Sequence, residues 1–554
     1  MIKWVSISIL SIFLLANCGK DSAPAPPVPP PTNFDILNWS VNGTTSMTSY
    51  YDINKTPVIK FNFKAAIDRS TVATNIILKE NSGTPVNYNA TYENGDSVVV
   101  INPSSPLNNL TRYKATALTN LKSKDGGKLV NQTDFSLLTS IDSTSKFPII
   151  TDDSLLTLVQ KQTFKYFWDF GHPTSGLSRE RNTSGDLVTS GGSGFGVMAI
   201  ITGASRGFIT RAQALTRLQT MVGFLKNTAQ KFHGAFPHWL NGNTGVVIPF
   251  STKDNGADLV ETSYLIMGLL CARQYFNGAD ASETGLRNDI NAISNAVEWN
   301  WFRKNNENVL YWHWSPDFNW DMNHPIRGWN ESLITYVLAA SSTTFSIPKI
   351  VYDNGWAQNG AIKNNNSYYG IVLPLGEAFG GPLFFSHYSF LGIKPNGLSD
   401  QYANYQTQVT NHTKINYEYC KANPQNYFGY SSSTWGLTAS DIQNGYTASS
   451  PTNDVGVIAP TAAVSSIPYT PIESMRALKF FYYILGDKLW KQYGFVDAFA
   501  LKDPWFADSF LAIDQGPIII MIENYRTQLL WNLFVSSPEV KTGMLTLGFS
   551  APYL

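Results

Sequence analysis

The sequence predicts an all-α domain over residues 150–554 preceded by a small all-β sandwich over residues 34–140. Three observations carry this. The hydrophobic period changes after Phe147-Pro148, from short alternating runs to helical spacing. The 554 residues exceed one ordinary domain. A hydrophobic content of 43% is ample for large cores. Forty Lys and Arg balance forty Asp and Glu, and only 14% of residues are charged, so there is no basic field for nucleic acid and no acidic tail. Aromatics reach 13%. Core packing accounts for most of them, and the surplus suits stacking on the apolar faces of sugars.

At the N-terminus, Lys3 precedes an apolar run from Trp4 to Ala16, too short to span a bilayer and proportioned like a signal-peptide core. It ends in Leu15-Ala16-Asn17-Cys18-Gly19, which resembles a bacterial lipoprotein lipobox. That resemblance implies a signal peptide over 1–18, lipidation at Cys18, and a lipid anchor holding the chain in the cell envelope, in the periplasm or at the outer membrane. The alternative is an ordinary signal peptide with an incidental cysteine. Residues 19–33 form a Pro-rich linker, expected to be extended polyproline II at about 3 Å per residue. Cys271 and Cys420 remain; Cys271 sits in an apolar helical stretch and reads as a buried free thiol.

The next module is strand-like. Runs at Val58–Phe63, Ser97–Ile101 and Tyr113–Leu118 partly alternate, and turn clusters at Asn81-Ser82-Gly83, Asn94-Gly95-Asp96 and Asp125-Gly126-Gly127 separate them. This predicts a sandwich of about seven strands. With Pro57-Val58-Ile59-Lys60-Phe61, Thr111-Arg112-Tyr113 and the closing Asp134–Thr139, it resembles the bacterial Ig-like domain of S-layer-type surface proteins. It holds no cluster suited to chemistry, and a spacer or docking role is expected.

Beyond it, apolar residues at helical spacing predict helices around 155–168, 212–225, 259–275, 292–302, 331–340, 474–485 and 517–534. Paired helices closing into an (α/α)6 toroid fit this count; periodicity does not establish closure. Gly191–Gly196 lacks the residues of a phosphate loop or nucleophile elbow and is read as a flexible loop.

The seven His include no His-Glu-x-x-His, and there is no Cys-x-x-Cys, so neither a metal site nor a cofactor is expected. Carboxylates flanked by aromatics remain. Asp258 and Glu261 form an Asp-x-x-Glu capping box, yet Asp254 and Asp258 are four apart across a Gly-containing turn, a spacing that lets both face one cavity. Glu331, after Trp329-Asn330, reads structurally as a capped helix start, and chemically as a carboxyl desolvated enough to serve as a general acid. Thr470-Pro471-Ile472-Glu473 reads as a cap, and Glu523 with Arg526 as a helical ion pair.

From about Leu155 to Leu554 the chain resembles the bacterial glucoamylase-like family, nearest to the β-1,2-glucanases of glycoside hydrolase family 144. The segments that carry it include Thr163–Trp168, Gly234–Trp239, Asp254–Thr262, Gly328–Glu331, Gly381–Phe384, Trp435–Asp441, Ala459–Ala463, Tyr493–Phe499 and Asp514–Pro517. The resemblance implies an (α/α)6 barrel with a broad cleft, acting on β-1,2-glucan, endo-acting and inverting. It assigns Asp254, Asp258 and Glu331 as the essential acids. His238, Trp239, Trp329, Tyr368, His387, Trp435 and Tyr446 are candidates for lining sugar subsites. Such chemistry needs a protonated carboxyl on the leaving oxygen and a carboxylate on the water side. Glu331 fits the first role; Asp258 and Asp254 both remain for the second. Two other readings stand beside this one: an exo-acting enzyme releasing a disaccharide, and a non-catalytic glycan-binding lipoprotein.

Overall fold

The computed structural model describes residues 29–554. The Cys18 motif and most of the Pro-rich linker lie outside the described residues. The described chain divides at Ser140/Ile141 into two compact units.

The first unit is a two-sheet sandwich of nine strands. β1 (Ile36–Val41), β2 (Thr44–Thr45), β4 (Ile59–Phe63), β6 (Tyr88–Glu93) and β7 (Val98–Pro103) form one sheet in the order β2-β1-β4-β7-β6. β3 (Ser49–Ile53), β5 (Ile76–Glu80), β8 (Arg112–Ala117) and β9 (Thr133–Thr139) form the other, in the order β3-β9-β8-β5. Alternation sets the inner face: Ile59, Phe61 and Phe63 point into the core between the outward Lys60 and Asn62. Trp39 stacks on Phe135 across the two sheets. The expected count of about seven falls short because β2 has two residues and β3 pairs in parallel with β9, which local alternation does not flag.

The second unit is helical, with two kinds of helix. Ser190–Ser205, Leu259–Tyr275, Leu333–Ser341, Pro460–Ser465 and Ala512–Thr527 are buried on nearly every side. Arg211–Asn227, Ala281–Asn295 and Pro471–Lys479 bury a single stripe and expose the rest. The first kind pack side by side with their N-termini at one end. The Glu261 carboxylate meets the Gly191 N–H, Ser263 meets Thr335, and the Thr461 hydroxyl donates to the Asp514 carbonyl. Asp254, Asp258 and Glu331 sit at this end.

The structure corrects the sequence reading at four helical segments. Gly191–Gly196 is not a loop but the first turns of the buried Ser190–Ser205 helix. Its glycines are there for close approach: a Cβ on Gly194 would stand 2.1 Å from the Tyr264 carbonyl oxygen. The stretch read as 292–302 is the end of Ala281–Asn295 followed by a separate 3-10 turn, Trp299–Arg303. The last stretch begins earlier, at Ala512, and breaks at Gln528, whose left-handed φ of 60° ends one helix before Leu529–Val535 begins. Glu523 does not pair with Arg526: it binds Arg206 at 2.6 Å, while Arg526 reaches Asp153.

Candidate active site

Asp254 and Asp258 flank a turn that only glycine can make. A Cβ on Gly256 would lie 2.2 Å from the Trp314 carbonyl oxygen. Ala257–Asp258 then pairs antiparallel with His313–Trp314, which sets His313 opposite Asp258. Asp258 caps the Leu259–Tyr275 helix, its Oδ1 accepting from the N–H groups of Val260 and Glu261 at 3.0 and 2.9 Å. Its Oδ2 is left for other partners: His238 Nδ1 at 3.2 Å and His313 Nε2 at 3.7 Å. His313 Nε2 is also 3.6 Å from Asp254 Oδ2. The two aspartates expected to share a cavity therefore converge on two histidines. One ligand atom each from His238, Asp254 and Asp258 lies within 4.8 Å of the others, a spacing able to hold a cation.

The expected capping box is half formed. Asp258 caps, but Glu261 does not reach back; its carboxylate accepts from the Gly191 N–H at 2.8 Å and the Thr189 hydroxyl at 3.3 Å. Glu331 likewise is not in a first turn. It precedes the helix, whose N-cap is Ser332, and Asn330 accepts from the Ser332 N–H and hydroxyl. The Glu331 carbonyl accepts hydrogen bonds from Tyr264 and Ser389, which fixes its backbone.

These surroundings drive the acids apart in proton affinity. Burial pushes Glu331 up to about 7, and the charges of Glu261 and Asp258 add to it. Burial and the neighbouring Asp258 charge push Asp254 to about 7. Burial also acts on Asp258, but the hydrogen bond from His238 and the nearby imidazoles override it and hold its carboxyl below the ordinary value. Burial resists a charge on His238, yet Glu261 and Asp258 together raise it to about 9. His313 falls to about 4, mainly through burial. At neutral pH the site thus combines an ionised carboxylate with carboxyls poised near their midpoint.

A second carboxyl group stands at the start of the Ala512–Thr527 helix. Asp497 and Asp514 are both buried. Burial raises Asp497 to about 7 against the opposing hydrogen bonds from the Asp441 N–H and from Asp514, and burial with the Asp497 charge raises Asp514 well above its ordinary value. Asp497 Oδ2 accepts from the Asp441 N–H at 2.7 Å, and Asp441 pairs with Arg181 at 3.3 Å. Tyr388 lies in the field of both groups, Asp514 on one side and Glu331 and Glu261 on the other, so they belong to one region.

The sugar-lining candidates divide. Trp239 and Tyr368 keep exposed surface, and Tyr446 is 45% exposed on the hairpin beside Asp441. His238 is partly exposed but engaged with Asp258. Trp435 and His387 are corrected: at 0% and 2% exposure neither offers a face to a sugar. Trp435 packs on Tyr417 and bonds the Glu473 carbonyl, and His387 bonds Ser466. Trp329, 5% exposed, packs against Trp356 and Phe390 as core. Thr470-Pro471-Ile472-Glu473 starts the Pro471–Lys479 helix with Pro471 in its first turn, and Thr470 makes no side-chain cap.

Residues 323–538 match the family model described as "Putative glucoamylase", and residues 39–139 match the bacterial Ig-like domain. The solved endo-β-1,2-glucanase of Chitinophaga pinensis, in complex with sophorotriose and glucose, is 51% identical. The alignment covers 73% of this chain and 100% of that one, with a TM-score of 0.72. The chain belongs to the glucoamylase-like family. A β-1,2-glucanase of Parabacteroides distasonis is 37% identical over 94% of this glucoamylase-like chain and 74% of its own, with a TM-score of 0.70. The exo β-1,2-glucooligosaccharide sophorohydrolase (non-reducing end) of P. distasonis is 44% identical over 442 residues, 75% of this chain. The chain spans 61% of the length of that curated relative.

Sequence reasoning missed several groups of this glucoamylase-like site. His313 lay unremarked in the aromatic run Tyr311–Trp314, and only strand pairing brings it to Asp258. Asp441, Asp497 and Asp514 were visible as parts of family segments, with no local spacing to unite them. In sequence Glu261 reads only as a cap.

Proposed function

We propose that this chain is a glycoside hydrolase that cleaves β-1,2-glucan, endo-acting and with inversion, on an (α/α)6 barrel whose buried helices direct their N-termini at the substrate. The observation that carries this reading is the pairing of Glu331, its carboxyl raised to about 7, with Asp258, held ionised within its electrostatic reach. Glu331 donates its proton to the glycosidic oxygen as the C–O bond breaks. Asp258 accepts a proton from the water that attacks the anomeric carbon from the opposite face. Asp254, beside Asp258, orients that water. Trp239, Tyr368 and Tyr446 provide apolar faces for glucosyl units. The substrate class comes from the relatives named above.

Those relatives also favour a second mode of action. One is an exo-acting sophorohydrolase, so release of a disaccharide from a chain end is the competing outcome. We also propose that Cys18 is lipidated and tethers the enzyme to the cell envelope, on the strength of its sequence motif.

Product profiling on linear β-1,2-glucan, with starch, laminarin and cellulose in parallel, tests the reading. A ladder of short β-1,2-oligosaccharides that disappears in Glu331→Gln is expected. A single disaccharide product selects the exo mode. No cleavage of the β-1,2-glucan sinks the proposal, and binding without cleavage identifies a glycan-binding protein.

A further inference from the structure

Tyr388 is a buried tyrosine, 6% exposed, whose ring is wedged among three others. Phe195 and Tyr264 meet it edge-on at centroid distances of 5.4 and 5.7 Å, and Phe384 lies tilted against it at 5.2 Å. Two of these contacts locate it. Tyr264 donates its hydroxyl to the Glu331 carbonyl at 3.4 Å, and Ser389, the residue after Tyr388, donates to the same oxygen. Phe195 packs on the Ala512–Thr527 helix: a Cβ on Gly516, two residues beyond Asp514, would stand 2.5 Å from the Phe195 Cβ. Tyr388 thus stands between the Glu331 and Asp514 acid groups, reached from each through one ring.

Its hydroxyl is what packing leaves unexplained. It makes no hydrogen bond with any described residue, yet it is not sealed inside the core. Other buried tyrosines spend theirs within the protein: Tyr336 donates to the Ile326 carbonyl at 2.8 Å and Tyr469 to the Ser386 carbonyl at 3.0 Å. Burial pushes the Tyr388 hydroxyl well above its ordinary value, and Asp514, Tyr446, Glu331 and Glu261 add to the rise, so at neutral pH it is a protonated donor. Buried polar groups rarely go without a partner. A donor held rigidly at the opening between two acid groups finds its partner in what binds there. The surrounding acids repel an anion and accept hydrogen bonds from hydroxyls, so the matching ligand group is a neutral hydroxyl. We propose that the Tyr388 hydroxyl donates a hydrogen bond to a hydroxyl oxygen of the glucosyl unit held between Glu331 and Asp514, and so positions that unit for cleavage. The contact rests on the hydrolase reading above, which supplies the sugar.

The test is Tyr388→Phe, which keeps the ring and its three packing contacts and removes only the oxygen. The readouts are kcat and KM on linear β-1,2-glucan, a thermal melt, and calorimetric binding of a short β-1,2-glucooligosaccharide to Glu331→Gln with and without Tyr388→Phe. In Tyr388→Phe, kcat/KM and oligosaccharide affinity should each fall roughly 10-fold, the worth of one hydrogen bond. The melting temperature should stay unchanged, because the lost hydroxyl bonds no protein group. Unchanged kcat/KM and affinity overturn the proposal and leave the hydroxyl to water. A loss of activity that comes with a lowered melting temperature overturns it too, since the hydroxyl would then be supporting the fold. If the wild type cleaves no β-1,2-glucan while oligosaccharide binding still depends on Tyr388, the hydrolase reading fails and the sugar contact stands. If Glu331→Gln binds no oligosaccharide, the contact falls.

Discussion

At the scale of single residues, one helical end presents carboxyls of similar chemistry in different protonation states. Glu331 gains proton affinity because burial penalises its charge, while Asp258 loses it because helix N–H groups and imidazoles hold the anion. Glu331→Gln should lower kcat roughly 100- to 10,000-fold, the range for loss of a general acid, with KM changing far less. The pH profile follows from the same shift. Glu331 keeps its proton below about 7, so activity should fall as pH rises through about 7, and a rate–pH series checks the sign. Trp435 makes the opposite case. Fully buried against Tyr417, it should cost about 3–5 kcal/mol of stability when cut to Ala, read by denaturant melts. An effect confined to KM would contradict its place in the core.

At the scale of elements, the glycine-rich start of the Ser190–Ser205 helix is the clearest departure from local reading. Glycine is a poor helix former, and in isolation that stretch favours a loop. The helix forms because packing repays the cost: Gly194 lies against the backbone at Tyr264, and Gly268 against that at Gly194. Gly194→Ala should therefore destabilise by about 1–3 kcal/mol through overpacking, despite its better helix propensity. A rise in melting temperature would refute the close approach. Helices with one apolar stripe, such as Leu155 through Phe167 within Asp152–Trp168, were legible in the sequence because their periodicity is intact. Helices buried all round lose that signal: Ser190–Ser205 reads as a loop at its start and Ala512–Thr527 begins ahead of its expected bound, while the long apolar run of Leu259–Tyr275 kept its bounds.

At the scale of the whole molecule, the buried carboxyls make stability depend on pH in an unusual direction. Asp254 and Asp497, raised to about 7, and Asp514, raised well above its ordinary value, bind protons in the folded state that the unfolded chain releases near pH 4. Their contribution is complete below about pH 4 and is lost as pH climbs through about 7. The melting temperature of the helical unit should accordingly fall between pH 5 and pH 8. Asp497→Asn, which keeps the shape without the titration, should flatten that slope; a melting temperature that rises over this range would show that the acids are ionised at no cost.

The two-module plan, the sandwich and several striped helices could be read from the sequence because each depends on neighbours close along the chain, where periodicity and turn residues record which face is buried. The same held for the turn that brings Asp254 beside Asp258, and for Glu331 at the mouth of a helix. Other features belong to the tertiary structure alone: His313 opposite Asp258, Glu261 turned to Gly191 rather than back to its cap, Asp497 joined to Asp514, and Trp435 withdrawn into the core. Each depends on desolvation or on contact between residues far apart in sequence. Proton affinity and exposure are set by what surrounds a side chain, and for these residues the surroundings come from other elements of the fold.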